Sequence, residues 1–223
     1  MAYRQTPSVE ARLQDNRSRI LRAARTLVSE GGWKEAQVAN VAAVAGIATG
    51  TVYRYFPSKA DLFTEVLSKV SQREVDVMSE IAASEASASV RLHSAISTFV
   101  CRAMRNPRLA YALIAEPCDK AIDAERMTYR AAISEVVRMI IATGQSSAEM
   151  RSDIRSDIAA SVIVGGFMEA LIGPLSPFSQ QQHQDTDSYQ REVAALADQI
   201  ATLACTSVAP APNTVRQLPR RTT

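Results

Sequence analysis

Cysteine, histidine, glycine and aromatic residues are all scarce in this chain, and each shortage excludes something. Its three cysteines, Cys101, Cys118 and Cys205, are too few and too scattered for a disulfide framework or a cysteine-based metal site, and their odd number fits reduced thiols in a cytosolic setting. The two histidines, His93 and His183, stand in no metal-ligand spacing. There is also no His-Glu-x-x-His pair and no glycine-rich phosphate loop. No cofactor, metal or catalytic set of residues is therefore expected, and Cys101 and Cys118 fit either redox sensors or inert buried thiols. With only eight glycines and nine prolines among 223 residues, and 47% hydrophobic residues, the chain is neither collagen-like nor disordered. A long hydrophobic run is missing as well. The longest, Ile158 to Met168, ends at Glu169 and falls well short of the ~20 residues of a bilayer span. The N-terminus leads into polar residues rather than an apolar signal core, so a cytoplasmic chain with no membrane partner is expected.

What is present is unevenly distributed charge. Residues 1–59 hold nine Lys/Arg against four Asp/Glu, whereas residues 60–206 hold thirteen against nineteen. A basic N-terminal quarter on an acidic body fits an anionic partner for that quarter, nucleic acid or an acidic membrane surface, and equally fits ordinary solvated surface.

The apolar periodicity is helical throughout and no period-2 run bounded by turns occurs, so the fold class is all-α, with about nine helices. Residues 1–15 lack periodicity and read as a flexible basic arm. A helix begins at Asn16, buries Ile20, Ala24, Leu27 and Val28 on one face, and stops at Gly31-Gly32. Short helices follow over 38–45, ended by Gly46, and 49–55, ended before Pro57. Ser58-Lys59-Ala60-Asp61 is a capping-box pattern opening a long helix to about Glu85. Further helices are expected near 88–105, 107–115, 120–143, 155–173 and 187–206, and the Pro-rich basic stretch 207–223 reads as a disordered tail.

Chemistry concentrates in residues 38–56. Two short helices flank a turn beginning at Gly46, which is free to adopt the left-handed backbone of a sharp turn, while Ala42 and Ala45 permit close helix contact. Val41, Ile47 and Val52 are spaced to pack both helices on the first. This is a helix-turn-helix pattern whose second helix can lie in a major groove. At 100° per residue Val52 points inward, Gly50 and Arg54 lie opposite it, and Thr51 and Tyr53 flank them. Hydroxyls, a guanidinium and a bare backbone suit DNA. Two helices of an all-α core with polar outer positions would show the same spacing.

The stretch Ile20-Leu21…Trp33…Ala45-Gly46-Ile47…Gly50-Thr51-Val52-Tyr53-x-Tyr55-Phe56-Pro57-Ser58-Lys59-x-x-Leu62 resembles the N-terminal domain of the TetR (tetracycline-repressor) family. The resemblance implies a three-helix DNA-binding domain over 16–64 and a larger helical effector-binding and dimerisation domain over 65–206. It places Thr49, Gly50 and Thr51 where that family reads base edges, with Arg54 a further reader. Tyr53 and Tyr55 fall where it touches phosphate or thymine methyl groups, and Lys59 at its phosphate position. Gln37 and Ala48 stand where the family often has a capping Ser or Thr, a loss of about 0.5–2 kcal/mol at each helix end. Ala39 replaces a longer polar residue, so that Arg17 and Arg19 are either a solvated helix face or, with the arm, a substitute source of phosphate contacts.

The implied partners are double-stranded operator DNA, a second copy of the chain and an unidentified small effector, the protein being most simply a repressor. Candidate dimer residues are Val162, Gly166 and Ala170 on one helix and Val193, Leu196 and Ile200 on the next. Candidate effector-binding residues are Phe99, Met104, Tyr111, Ile114, Met127, Tyr129, Ile133 and Phe167, with Glu116 and Arg130 as polar groups that could orient a ligand. This mostly apolar inventory fits a hydrophobic effector. The competing readings are an all-α enzyme, which lacks a nucleophile–base pair here, and a DNA-binding scaffold answering to a protein partner.

Overall fold

Proline fixes φ near the helical value and lacks an N–H that a first turn could not pair anyway, and Pro7 opens the first helix. The computed structural model describes residues 7–178 and 186–210. Among them nine helices and no strand occur: α1 (Pro7–Glu35), α2 (Val38–Ala45), α3 (Thr49–Tyr55), α4 (Lys59–Ala82), α5 (Ala88–Arg105), α6 (Pro107–Ile114), α7 (Lys120–Ser146), α8 (Ser156–Leu175) and α9 (Thr186–Val208). The expected all-α architecture is thus the observed one. Residues 1–6 and 211–223, with the first part of the expected arm and most of the tail, and His183, lie outside the described residues.

Several helix ends differ from expectation: α1 runs to Glu35 past Gly31-Gly32, α4 stops at Ala82, α7 runs to Ser146, and three further boundaries have a visible cause. The stretch 7–15 is helical rather than an unstructured arm, because Leu13 extends the face of Arg17, Ile20 and Ala24 back by further turns. Helix α8 continues past Gly173 and through Pro174 to Leu175. A proline there removes one backbone hydrogen bond in the last turn, and fully buried Leu175 anchors that turn in the core. Helix α9 runs to Val208, which is buried too, so the first residues assigned to the tail are helical.

Two apolar cores organise the chain. The first joins α1–α4 through Ile20, Val28, Val41, Val52, Leu62 and Phe63, and takes in Leu109 and Ala112 of α6 and Ile122 of α7. The second, in the body, is built from α5, α7, α8 and α9 around Leu92, Ile96, Val137, Ile141, Val164 and Leu171. Each such fully buried side chain contributes about 1.5–3 kcal/mol relative to exposure. Helix α4 belongs to both, giving Leu62, Phe63, Val66 and Leu67 to the head and Met78 to the body. By length and composition α8 is apolar enough to cross a membrane, with a mean hydropathy of 1.8, a stretch longer than the run picked out in the sequence. Its inner face (Ala160, Ile163, Val164, Phe167, Leu171) is packed into the body's core.

Candidate nucleic-acid interface

The helix-turn-helix unit is built from α2, a three-residue turn and α3. Gly46 takes φ 66° and ψ 39°, and the turn closes with Gly46 N–H donating to the Ala43 carbonyl (3.1 Å) and Ile47 N–H to that of Ala42 (3.0 Å). This six-to-one and five-to-two pair is a Schellman closure, and it requires the positive φ that glycine adopts without strain. Buried Val41, Ala42, Ala45 and Val52 then seat both helices on α1. Neither Gln37 nor Ala48 makes a side-chain cap bond, as their residue types predict. The start of α4 is the opposite case: Ser58 Oγ accepts from Asp61 N–H (3.1 Å), and Asp61 Oδ2 accepts from Ser58 N–H (3.0 Å).

Helix α3 turns Val52 inward at 1% exposure and leaves Thr49, Gly50, Tyr53 and Arg54 in solvent, with Thr51 and Tyr55 half-buried beside them. Nothing lies within 4 Å of where a Cβ on Gly50 would sit, so the backbone there is open to close approach. Tyr55 keeps its hydroxyl at the edge, accepting from Asn16 Nδ2 (3.2 Å). Lys59 lies over the Phe63 ring (5.8 Å) and donates to Gln37 Oε1 (3.3 Å), while Gln37 Nε2 donates to the Lys34 carbonyl (2.7 Å). Gln37, a poor cap, instead positions the lysine. Arg17 and Arg19 are not the free cations that the sequence allowed. Arg17 is paired with both oxygens of Glu65 and lies over the Phe56 ring (4.7 Å), and those hydrogen bonds hold its guanidinium above the usual range. Arg19 donates to the Ala45 carbonyl (2.6 Å), neutralising the C-terminal end of α2.

The body presents two further candidate surfaces. On α8, Val162 (68% exposed), Gly166 and Ala170 share an open face. On α9, Val193, Leu196 and Ile200 are half-buried, packed in part against the body's own core, and the large apolar residue left exposed is Leu203. The stripe Ala197, Ala201, Ala204 and Val208 is buried, and its small side chains let α9 lie close on α5 with the larger residues at the sides of that seam.

A cavity of about 300 Å³ opens between α1, α4, α5, α6, α7 and α8. Of the expected pocket residues, Phe99, Ile114, Tyr129 and Ile133 line it, as does Arg130, together with Leu109 and Met168. The others lie elsewhere. Met127 is 55% exposed, Phe167 packs on Phe99 (centroids 5.1 Å apart) behind the wall, Met104 is buried with its carbonyl accepting from Tyr189 OH (3.0 Å), and Tyr111 lies under Arg108. Helical periodicity separates buried from exposed positions, and cannot say which buried positions border a void.

Sequence reasoning missed the seam between head and body. Gly32 (φ 72°, ψ −163°) breaks α1 one turn before its end, and there Arg108 donates to the Gly31 carbonyl (2.8 Å) and to both oxygens of Glu116 (2.9 Å each). Glu116, expected in a ligand site, also accepts from Trp33 N–H (3.3 Å), and the Trp33 indole donates to the Ala112 carbonyl (2.8 Å). Arg126 closes the end of α6 by donating to the carbonyls of Ala112, Leu113 and Glu116 and to Cys118 Sγ. Burial pushes the Cys118 thiol up, with the Arg126 charge opposing, and a protonated thiol is a poor nucleophile. Only the Gly-Gly-Trp triplet hinted at this joint, since its partners lie 77 to 83 residues away.

Comparison with known proteins agrees with this geometry. Residues 20–66 match the family model of bacterial regulatory proteins, tetR family. The HTH-type transcriptional repressor KstR of Rhodococcus jostii is 43% identical over 60 residues, covering 27% of this chain and 28% of that protein. KstR of Mycolicibacterium smegmatis is 36% identical over 101 residues, covering 45% and 49%. The chain thus spans about half, or less, of the length of these curated relatives. The fold is shared with the transcriptional regulator FadR of Bacillus subtilis, whose structure was solved in complex with stearoyl-CoA: TM-score 0.72 at 20% identity, covering 85% of this chain and 97% of that one. The match to the tetR family of bacterial regulatory proteins thus spans residues 20–66, the helix-turn-helix with its flanking helices, and the likeness of the helical body is one of fold.

Proposed function

We propose that this chain is a transcriptional repressor that binds a near-palindromic operator in double-stranded DNA as a homodimer and is released by a small effector with an apolar body. The observation that carries the reading is the outward face of α3, where Thr49, Gly50, Thr51, Tyr53 and Arg54 stand in or at the edge of solvent while Val52 is buried. In this reading Thr49, Gly50, Thr51 and Arg54 meet base edges, and Tyr53, Tyr55 and Lys59 meet the backbone. Val162, Gly166 and Ala170 on α8, with Leu203 on α9, support a two-fold contact between copies. Such a dimer sets two α3 helices about 34 Å apart, one turn of duplex.

The cavity supports an effector over control by a protein partner alone, and its apolar walls suit a chain such as that of the stearoyl-CoA bound by the Bacillus subtilis neighbour. An effector that binds better when the two readers are wrongly spaced shifts the protein off DNA, by no more than its difference in affinity for the two states. Helix α4, shared by both cores, is the lever. The protein acts in the cytoplasm as a regulator and not as an enzyme, without a membrane partner.

Selection of bound DNA from a random pool tests the reading, the expected product being a two-fold motif; no enriched motif overturns it. On that motif Tyr53→Ala and Lys59→Ala each weaken binding about tenfold with unchanged melting. Each phosphate contact contributes a log–log salt slope of about −0.9, so Lys59→Ala also flattens the salt dependence by about one.

A further inference from the structure

We infer that the cavity contains an anion-binding site shared between head and body, and that its ligand is an apolar chain ending in a carboxylate or phosphate; this rests on the effector reading above. Three guanidiniums carry the inference. Arg25 reaches the cavity from α1, Arg105 from the last turn of α5, and Arg130 from the middle of α7. None of the three is paired with a carboxylate among the described residues. The other two arginines of the wall are in use. Glu74 holds Arg102 in a two-point pair (2.6 and 2.8 Å), and Arg126 serves the end of α6 and Asp123. Glu74, the carboxylate of the lining, is thereby consumed.

This gathering runs against the local composition, since residues 60–206 carry thirteen basic and nineteen acidic residues. Unpaired guanidiniums around one opening repel each other, the more so beside apolar walls. An entering carboxylate or phosphate replaces that repulsion with forked, charge-assisted hydrogen bonds. Burial gives the cavity a direction: Phe99, Leu109, Ile133 and Met168 are buried, whereas Arg25 and Arg105 are exposed. The chain goes in and the anion stays at the mouth. Because Arg25 belongs to the first helix of the head and Arg105 and Arg130 to the body, the anion bridges the two. Its affinity then depends on where the head stands, the condition for a ligand to bias that position.

The test is calorimetric titration of the full chain with three probes: dodecanoate, dodecyl phosphate and uncharged dodecanol. At least one anion, dodecanoate or dodecyl phosphate, binds about tenfold or more tightly than dodecanol, and whichever is preferred tells carboxylate from phosphate recognition. Arg25→Met and the double variant Arg105→Met/Arg130→Met keep the apolar stems. Each weakens the preferred anion about tenfold and leaves dodecanol unchanged. Equal binding of charged and uncharged probes, or variants that bind the anion as the parent does, overturns the anion site while the apolar effector reading stands. If no probe binds, both fall.

Discussion

The chain bends twice on a glycine with positive φ, and the two bends are held in opposite ways. At Gly46 everything is local. The turn closes on the carbonyls of its own helix, the backbone sits in the left-handed helical region, and a Cβ would meet only the tip of Arg19 at 3.4 Å. At Gly32 little is local. The backbone (φ 72°, ψ −163°) lies in a region that is essentially glycine's alone, and a Cβ there would collide with the Arg108 guanidinium and the Glu116 carboxylate. Beside it Trp33 reaches Ala112 and packs edge-on against Phe63 (5.7 Å). One bend therefore belongs to a self-sufficient helix-turn-helix, and the other is the seam fixing that unit to the body. The lesson is that a motif can specify its own shape completely while its attachment is decided by distant residues.

Gly32→Ala should break this contrast most severely. The substitution strains the backbone and displaces a half-buried ion pair that also holds Gly31 and Trp33, so a loss of about 3–5 kcal/mol is expected. Guanidinium unfolding followed by the fluorescence of Trp33, the chain's one tryptophan, measures it at the seam itself. If Gly32→Ala costs no more than Gly46→Ala, the seam is not the stronger constraint and the comparison fails.

The same contrast explains what was legible in the sequence. Helices over 38–45 and 49–55, the Gly46 turn, the inward Val52 and the Ser58–Asp61 capping box could all be read directly, because each is fixed by residues within about one turn. Helix order in the body was legible for a similar reason, as Asn-Pro and Glu-Pro breaks punctuate it. The cavity wall, the inward alanine stripe of α9 and the Arg108–Glu116–Trp33 seam were not. Each depends on which faces meet, and a periodic pattern does not name its partner. Arg17 shows the limit within a single residue: its position beside a DNA-reading motif pointed to phosphate, and Glu65 on α4 had already claimed it.

Gly46→Ala is the milder break. Left-handed backbone costs an L-residue about 1–2 kcal/mol, and Arg19 can yield at its flexible end, so a loss in that range is expected with the turn preserved. Gly46→Asn should lose less, since asparagine tolerates this conformation. Thermal unfolding by circular dichroism orders the three proteins, and Asn as costly as Ala would place the penalty in side-chain crowding rather than backbone strain.

The smallest effect has the opposite sign. Ala48 holds the extended backbone of an N-cap (φ −72°, ψ 145°) but offers no side-chain acceptor to the free N–H groups opening α3. Ala48→Ser supplies one, and a gain of about 0.5–1 kcal/mol in the same unfolding experiment is expected. The gain is bounded because α3 owes its place to buried Val52 and to the turn before it, more than to its own ends. A serine that adds nothing would mean the Gly46 turn already fixes the start of α3 without any cap. The helix-turn-helix would then be even more self-contained than its hydrogen bonds indicate.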